Sequence, residues 1–288
     1  RMKIDRYTLY KDFAPIEPYV DAPKLEELRR SAVAEKFGTG GFYDMTLGGL
    51  LDAMKDIDKI CRENGLKYYL HAGTLLGAVN HGGFIPWDDD LDVEMLREDY
   101  LRLLKILPRE LPKGYVWQTN ETDSGYFFNF GKLRETNSHL EEPNPYLLSS
   151  KYKGIYIDVF PIEHAPYPLA WVGGHLQGRI FKVFKDASLN ESTKLIKAQQ
   201  IFNFNKRYAF PLLRLLAKMW PGGVLRHSFG TAYFKPRRIN DIFPLSEMKF
   251  EDKKYPVPGH TDTVLQRIYG DYMKMPNLDT IKPHLTHL

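Results

Sequence analysis

The chain has 288 residues, 43% hydrophobic and 26% charged, with 40 Lys/Arg against 36 Asp/Glu. That balance describes a globular protein with a sizeable core and excludes a disordered chain. No run of about 18 apolar residues suggests a membrane-spanning helix and no apolar leader is visible, while the single cysteine, Cys61, excludes an internal disulfide or a cysteine-based zinc site and fits a reducing, cytoplasmic setting.

Charge is unevenly spread. Trp171 to Arg238 holds 13 Lys/Arg and two acids, Asp186 and Glu191, a balance of +11; the remainder carries 27 basic and 34 acidic residues, or −7. One region is built to face negative charge and another concentrates it.

In chain order, residues 1–42 read as a loosely packed arm with one short helix over Pro23–Glu35. The clearest helix spans Tyr43–Glu63, where Leu47, Leu50, Leu51, Met54, Ile57 and Cys61 recur at spacings of three and four, and Gly65 suits its C-cap. "KYYLHAG" predicts a short strand, "TLLGAVNH" a helix closed by Gly82-Gly83, "DLDVEM" a strand and Arg97–Ile106 a helix. "GYVWQT", "YFFNFGKLRE" and "GIYIDVFPIE" predict further strands, so residues 43–167 form an α/β or α+β core. The basic segment 168–238 reads as helices, Trp171–Lys185 and Ser192–Trp220, the second kinked at Pro211. Residues 239–288 read as proline-rich turns and one helix, Thr261–Tyr269, packing back on the core. There is no internal repeat.

The chemistry concentrates in "PWDDDLDVEM". Leu91, Val93 and Met95 fall on one face of the strand, so Asp90 and Asp92 project from the other, roughly 6–7 Å apart. Carboxylates that close raise each other's pKa unless a cation neutralises them, and Mg²⁺ accepts carboxylate oxygens while keeping positions for water or phosphate. A lone D-x-D is usually a solvated loop; the apolar alternation argues against that here.

"HAGTLLGAVNHGGFIPWDDDLDVEMLREDY" resembles the signature of the LicD family of phosphocholine transferases, to which the fukutin-related ribitol-phosphate transferases are related. The resemblance continues through "GKLRETNS", "GIYIDVFPIE" and "YPVPGHTDTVLQRIYGDYMKMP"; Asn80 stands where a basic residue is common. It implies a nucleotidyltransferase-like fold, a small mixed sheet flanked by helices, to which the basic helical segment is added. It also implies Mg²⁺ (or Mn²⁺) held by Asp90 and Asp92, with Asp88 as ligand or backing and Asp158 as the third carboxylate. The implied reaction moves an alcohol phosphate, phosphocholine foremost, from a CDP-activated donor to a glycan hydroxyl, releasing CMP, as in lipopolysaccharide or teichoic acid assembly. Ribitol or glycerol phosphate transfer, or a nucleotidyltransferase releasing pyrophosphate, are the alternatives.

Within that frame Asp158 is the candidate proton acceptor. Lys132 and Arg134, two apart on a strand, are expected to contact donor phosphate, together with Thr74 and the backbone around Gly73. Trp87 either packs under the acidic loop or stacks on cytosine. Tyr126 and Tyr156 are candidates for a choline cage. His71 and His81 read as structural hydrogen-bonders. Trp171, Val172, Leu176, Ile180 and Val183 line one face of a basic helix, so segment 171–238 is expected to contact a membrane's inner face, where a lipid-linked glycan acceptor would lie. No nucleic-acid recognition motif is present, and none is expected as partner.

Overall fold

Helix α1 (Phe42–Glu63) turns Leu50, Met54, Ile57 and Cys61 inward, and all four are buried. It stops at Gly65, whose φ of +61° is the left-handed conformation glycine adopts without strain. Burial, with Asp58 and Asp99 nearby, pushes the Cys61 thiol up to about 12, so this cysteine is packing rather than a reactive thiol. These features come from a computed structural model describing residues 42–85, 88, 90–140, 146–147 and 149–273; the expected helix over Pro23–Glu35 and the side chain of Trp87 lie outside the described residues.

Seven strands follow: β1 (Tyr68–Leu70), β2 (Asp92–Leu96), β3 (Tyr115–Gln118), β4 (Gly131–Glu135), β5 (Tyr156–His164), β6 (Val224–His227) and β7 (Arg237–Arg238). They form one mixed sheet ordered β1-β2-β5-β4-β3, with β6 added beside β5 and β7 beside β6. Only β2 and β5 run parallel within it. β5 is long enough to take two partners: its first half pairs with β4 and its second half with β6. Helix α2 (Ala72–His81) joins β1 to the acidic loop, and α3 (Arg97–Glu110) follows β2 directly.

The strand alternation sorts side chains into two faces. Val93, Met95, Leu133, Ile157 and Val159 join α1 and the Tyr100, Leu103 and Leu107 face of α3 in the main core. Asp92, Glu94, Lys132 and Asp158 stand on the opposite face. The sheet is therefore mixed and helix-flanked, as the sequence leads one to expect.

Several elements depart from the sequence reading. The strand expected over "YFFNFGKLRE" begins at Gly131, because Phe127 leaves the sheet to pack under Phe184 and Phe202. A side chain at Gly131 would strike the Trp117 ring. The basic segment forms α4 (Tyr167–Lys185), α5 (Glu191–Phe204), a π-helical turn (Asn205–Ala209) and α6 (Phe210–Lys218). The expected kink at Pro211 becomes this wider turn one step earlier, in which the Phe210 N–H reaches the Asn205 carbonyl five residues back. Pro211, with no N–H to give, then sits in the first turn of α6. On α4 the inward face is Gly173, Gly174, Gln177 and Ile180, while Trp171 and Val172 are exposed; the two glycines let the helix approach Phe229 and Phe234. The segment also returns to the main sheet as β6 and β7, which a reading as helices alone misses.

The tail holds a short helix α7 (Ile239–Ile242), an unexpected hairpin β8 (Ser246–Phe250) and β9 (Lys253–Val257), and α8 (Thr261–Tyr269) as expected. The hairpin clamps the loop ahead of the acids: the Glu251 N–H donates to the Gly82 carbonyl at 2.7 Å and the Glu251 carboxylate accepts from the Phe84 N–H at 2.8 Å. It is tied to α1 through buried Asp58, which accepts from Lys253, from Arg62 at 2.7 Å and from the Tyr68 hydroxyl at 2.5 Å. Burial opposes the Asp58 charge, but these three donors outweigh it and hold the carboxyl below its usual range. Its stabilising contribution is thus present above the ordinary carboxylate pKa and is lost as pH falls through the lowered folded value. Asp58→Ala is expected to cost roughly 1.5–3 kcal/mol in urea unfolding at pH 7, since water can resolvate the half-exposed Arg62 and Lys253. The deficit should shrink on acidification; a constant deficit down to pH 2 would contradict this account.

Candidate active site

The site rests on register. Asp92 of β2 is the direct parallel neighbour of Asp158 of β5, and Asp158 is the antiparallel neighbour of Lys132 on β4. Three charged side chains thus stand in a row across three strands. The Lys132 ammonium lies 2.7 Å from the Asp158 carboxylate and 3.3 Å from the centroid of the Tyr156 ring. Burial raises the Asp92 pKa well above the usual range, and Asp90, Asp158 and Asp88 raise it further against a partial offset from Lys132. Burial also raises Asp158, with Lys132 the main opposing influence. Asp88, Asp90 and Asp158 thus lie within electrostatic reach of Asp92, with Lys132 opposing the shift at both Asp92 and Asp158 and Arg134 adding to it at Asp158.

Local structure explains how the acids are held. The Thr74 hydroxyl accepts a hydrogen bond from the Asp92 backbone N–H at 2.8 Å, and the His71 N–H donates to the Asp92 carbonyl at 3.0 Å. Thr74 is thus engaged in locating Asp92. Gly73 lies in the first turn of α2, and the Asp88 carboxylate occupies the space a side chain there would fill. The positive end of the α2 dipole faces the acidic group, which favours anions at that spot.

The remaining candidates sit as follows. Arg134 is fully buried; it donates to the Gln118 side chain and to the Gly154 carbonyl, both at 2.8 Å, and lies over Tyr156 at 4.6 Å. In this arrangement it braces the strand ends behind Lys132. Tyr156 gives its ring to these two cations of the chain itself. Tyr126 is fully buried against Phe128 and Phe130, at 5.4 and 6.2 Å between ring centres.

A second polar cluster, not foreseen as a unit, lies next along the same face. Glu94, two residues beyond Asp92, is completely buried and accepts from the Tyr69 hydroxyl at 2.7 Å, from Arg237 at 3.0 Å through Nε and again through Nη2, and from His227 Nε2 at 2.6 Å. Arg237 Nη2 is also 3.0 Å from His71 Nε2. That nitrogen also lies 3.2 Å from the Glu94 carboxylate, and burial strongly lowers the His71 pKa. Burial opposes the Glu94 charge, but Arg237, His71 and His227 hold its carboxyl far below the usual range. His71, Glu94 and His227 could each offer a metal a ligand atom, all within 4.8 Å of one another. Arg237 already supplies positive charge there.

Two tyrosines also escape a sequence reading. Tyr233 packs on His227 at 4.8 Å, and Tyr269 of α8 has its hydroxyl pKa raised by burial, by Tyr233 and by Asp92, Asp88 and Asp90. Asp58, Glu94 and His71 lie in segments whose alternation or spacing is readable, but Arg237 and His227 come more than 130 residues later with no local signal.

A raised carboxyl pKa destabilises: the folded state binds protons more tightly than the unfolded chain, so stability falls as pH rises from the ordinary carboxylate pKa to the raised one. Asp92→Asn is therefore expected to stabilise the protein by roughly 0.5–2 kcal/mol at pH 7 without divalent ions. Urea unfolding checks this, and a loss of stability would contradict the crowding described above.

The family described as LicD/FKTN/FKRP, nucleotidyltransferase domain, matches residues 65–220. The chain is 26% identical over 245 residues to the lipopolysaccharide cholinephosphotransferase LicD of Haemophilus influenzae, across 78% of this chain and 89% of that protein. It is 47% identical over 67 residues to an uncharacterised protein of Rickettsia prowazekii, 23% of this chain and 25% of that one. It is 28% identical over 100 residues to the human ribitol 5-phosphate transferase FKRP, 33% of this chain and 20% of that protein. With more than half its length matched by that domain, and with a bacterial relative aligned almost end to end, the chain belongs to the LicD/FKTN/FKRP nucleotidyltransferase-domain family and is a phosphotransferase.

Proposed function

We propose that this chain transfers an alcohol phosphate, phosphocholine foremost, from a CDP-alcohol to a hydroxyl of a glycan precursor and releases CMP. The observation that carries the reading is the register that sets the Asp92 and Asp158 carboxylates side by side, with Asp90 and Asp88 within electrostatic reach of Asp92, beside the N-terminus of α2. Ribitol or glycerol phosphate fits the same machinery, since nothing in the acidic group selects the alcohol.

The residues fit a hard divalent ion such as Mg²⁺: the donors are carboxylate oxygens, and their mutual repulsion raises the Asp92 pKa beyond what Lys132 offsets. Asp90, Asp92 and Asp158 would hold it, with Asp88 as a ligand or at its back. When bound, such an ion supplies positive charge to the donor's pyrophosphate. The chain's own residues do the rest. The first-turn N–H groups of α2 around Gly73 favour phosphate oxygens. Lys132 keeps Asp158 oriented on the acidic face. Asp158, whose pKa burial raises, takes the proton of the attacking glycan hydroxyl. The oxygen of that hydroxyl bonds the phosphorus carrying the alcohol, and the bond from that phosphorus to the CMP oxygen breaks. The chain meets a lipid-linked acceptor at a membrane surface through the basic helical segment; among the described residues no helix is long and apolar enough to cross a membrane.

The test is CMP release from a panel of CDP-choline, CDP-ethanolamine, CDP-glycerol and CDP-ribitol with Mg²⁺ and candidate saccharides. One donor is expected to give saccharide-dependent CMP that chelation abolishes. Asp92→Asn and Asp158→Asn should each reduce it by roughly 10²–10³-fold or more. Pyrophosphate as product would replace this reading with nucleotidyl transfer, and near-normal turnover in Asp158→Asn would remove its role as proton acceptor.

A further inference from the structure

Phe204, Tyr208, Leu212, Leu215 and Met219 follow one another at spacings of four, four, three and four through the end of α5, the π turn and α6. The π turn keeps them in line, and each is 56–72% exposed. Trp220 continues the line at the helix end, 46% exposed, before the exposed Pro221-Gly222-Gly223. The opposite face of α6, Phe210, Leu213 and Ala217, is the buried one. Ordinary surfaces scatter large apolar side chains singly, whereas a continuous exposed line marks a contact surface.

The chemistry of the missing partner is written in the flanking charges. From Ser192 to Asn240 there is no Asp or Glu. Arg207 and Lys218 lie exposed beside the line and make no ion pair among the described residues. On the same flank, Arg214 bonds Glu163 at 2.6 and 3.0 Å while Arg97 approaches that carboxylate at 3.7 Å, so two guanidinium groups share one negative charge. Both arginines line a largely apolar cavity of about 270 Å³ with Glu121, Lys206, Phe128 and Phe130. An apolar ridge bordered by excess cations suits a surface that is apolar beneath and anionic at its rim. A second copy of this chain is disfavoured, because a two-fold contact would set these cations against their own copies.

We propose that the Phe204–Met219 ridge is the docking surface for an anionic phospholipid bilayer, its apolar side chains entering the interface while Arg207 and Lys218 meet lipid phosphates. This deepens, and rests on, the reading that the acceptor is presented at a membrane, and it moves the contact from the face of α4 to α6.

The test is co-sedimentation of the full chain, without donor, acceptor or metal, with vesicles of phosphatidylglycerol and phosphatidylcholine or of phosphatidylcholine alone. At low salt, binding to the anionic vesicles is expected to be at least tenfold stronger and to fall as salt is raised. Leu212→Glu/Leu215→Glu/Met219→Glu should abolish it with unchanged thermal unfolding, these positions being solvent-facing; Arg207→Glu/Lys218→Glu should weaken it about tenfold. No binding to either vesicle, equal binding to both, or a dimer in sedimentation that the triple variant dissolves would each overturn the proposal. Because vesicles alone are used, loss of binding leaves the CMP-release result standing, and failure of CMP release leaves vesicle binding standing.

Discussion

The repulsion between Asp92 and Asp158 is the constraint around which the rest of the molecule is arranged. Parallel pairing of β2 with β5 puts the two carboxylates side by side, and with Asp158 buried and Asp92 half-buried little water is left to screen them. A fold accepts such a contact when the strands are anchored by something stronger. Here Val93, Met95, Ile157 and Val159 supply it from the other face of the sheet, and Thr74 pins the Asp92 backbone. The hairpin's Glu251 clamps the loop that delivers the acids.

Two carboxylates two residues apart on β2 have opposite fates. Asp92 looks onto other carboxylates, and its pKa rises; Glu94 looks onto Arg237, His227, His71 and Tyr69, and its pKa falls. Glu94 is satisfied from within the chain, so its cluster ties β2 to β6, β7 and the residue before α2. Asp92 faces Asp90, Asp158 and Asp88, with Lys132 only a partial offset. That division separates a carboxylate anchored by the chain's own cations from one crowded by other carboxylates.

The basic segment is joined to this centre rather than appended to it. After α6 the chain re-enters the sheet as β6, which lies against the second half of β5, and β7 then brings Arg237 to Glu94. Any surface presented by α5 and α6 is thereby held in a fixed relation to the strand that carries Asp158. The exposed ridge on α6 owes its direction to the inward packing of Phe210, Leu213 and Ala217.

The helix of Phe42–Glu63, the alternation in "DLDVEM" and "GIYIDVFPIE", and the crowding of acids were legible because each is a local pattern: periodicity and spacing act between near neighbours, and those forces are written in consecutive residues. Which strands pair, and in what register, is decided by long-range packing, so the partnership of Asp92 with Asp158, the burial of Arg134, the Glu94–Arg237 cluster and the hairpin over the loop could not be read from spacing. Which face α4 turns inward is also set by long-range packing: Gly173 and Gly174 lie against Phe229 and Phe234, while Trp171 and Val172 of the apolar stripe stay exposed. Sequence alone determined that carboxylates would gather on one side of a strand; tertiary structure decided which of them meets the chain's own cations and which meet one another, because strand register and long-range packing set those neighbours.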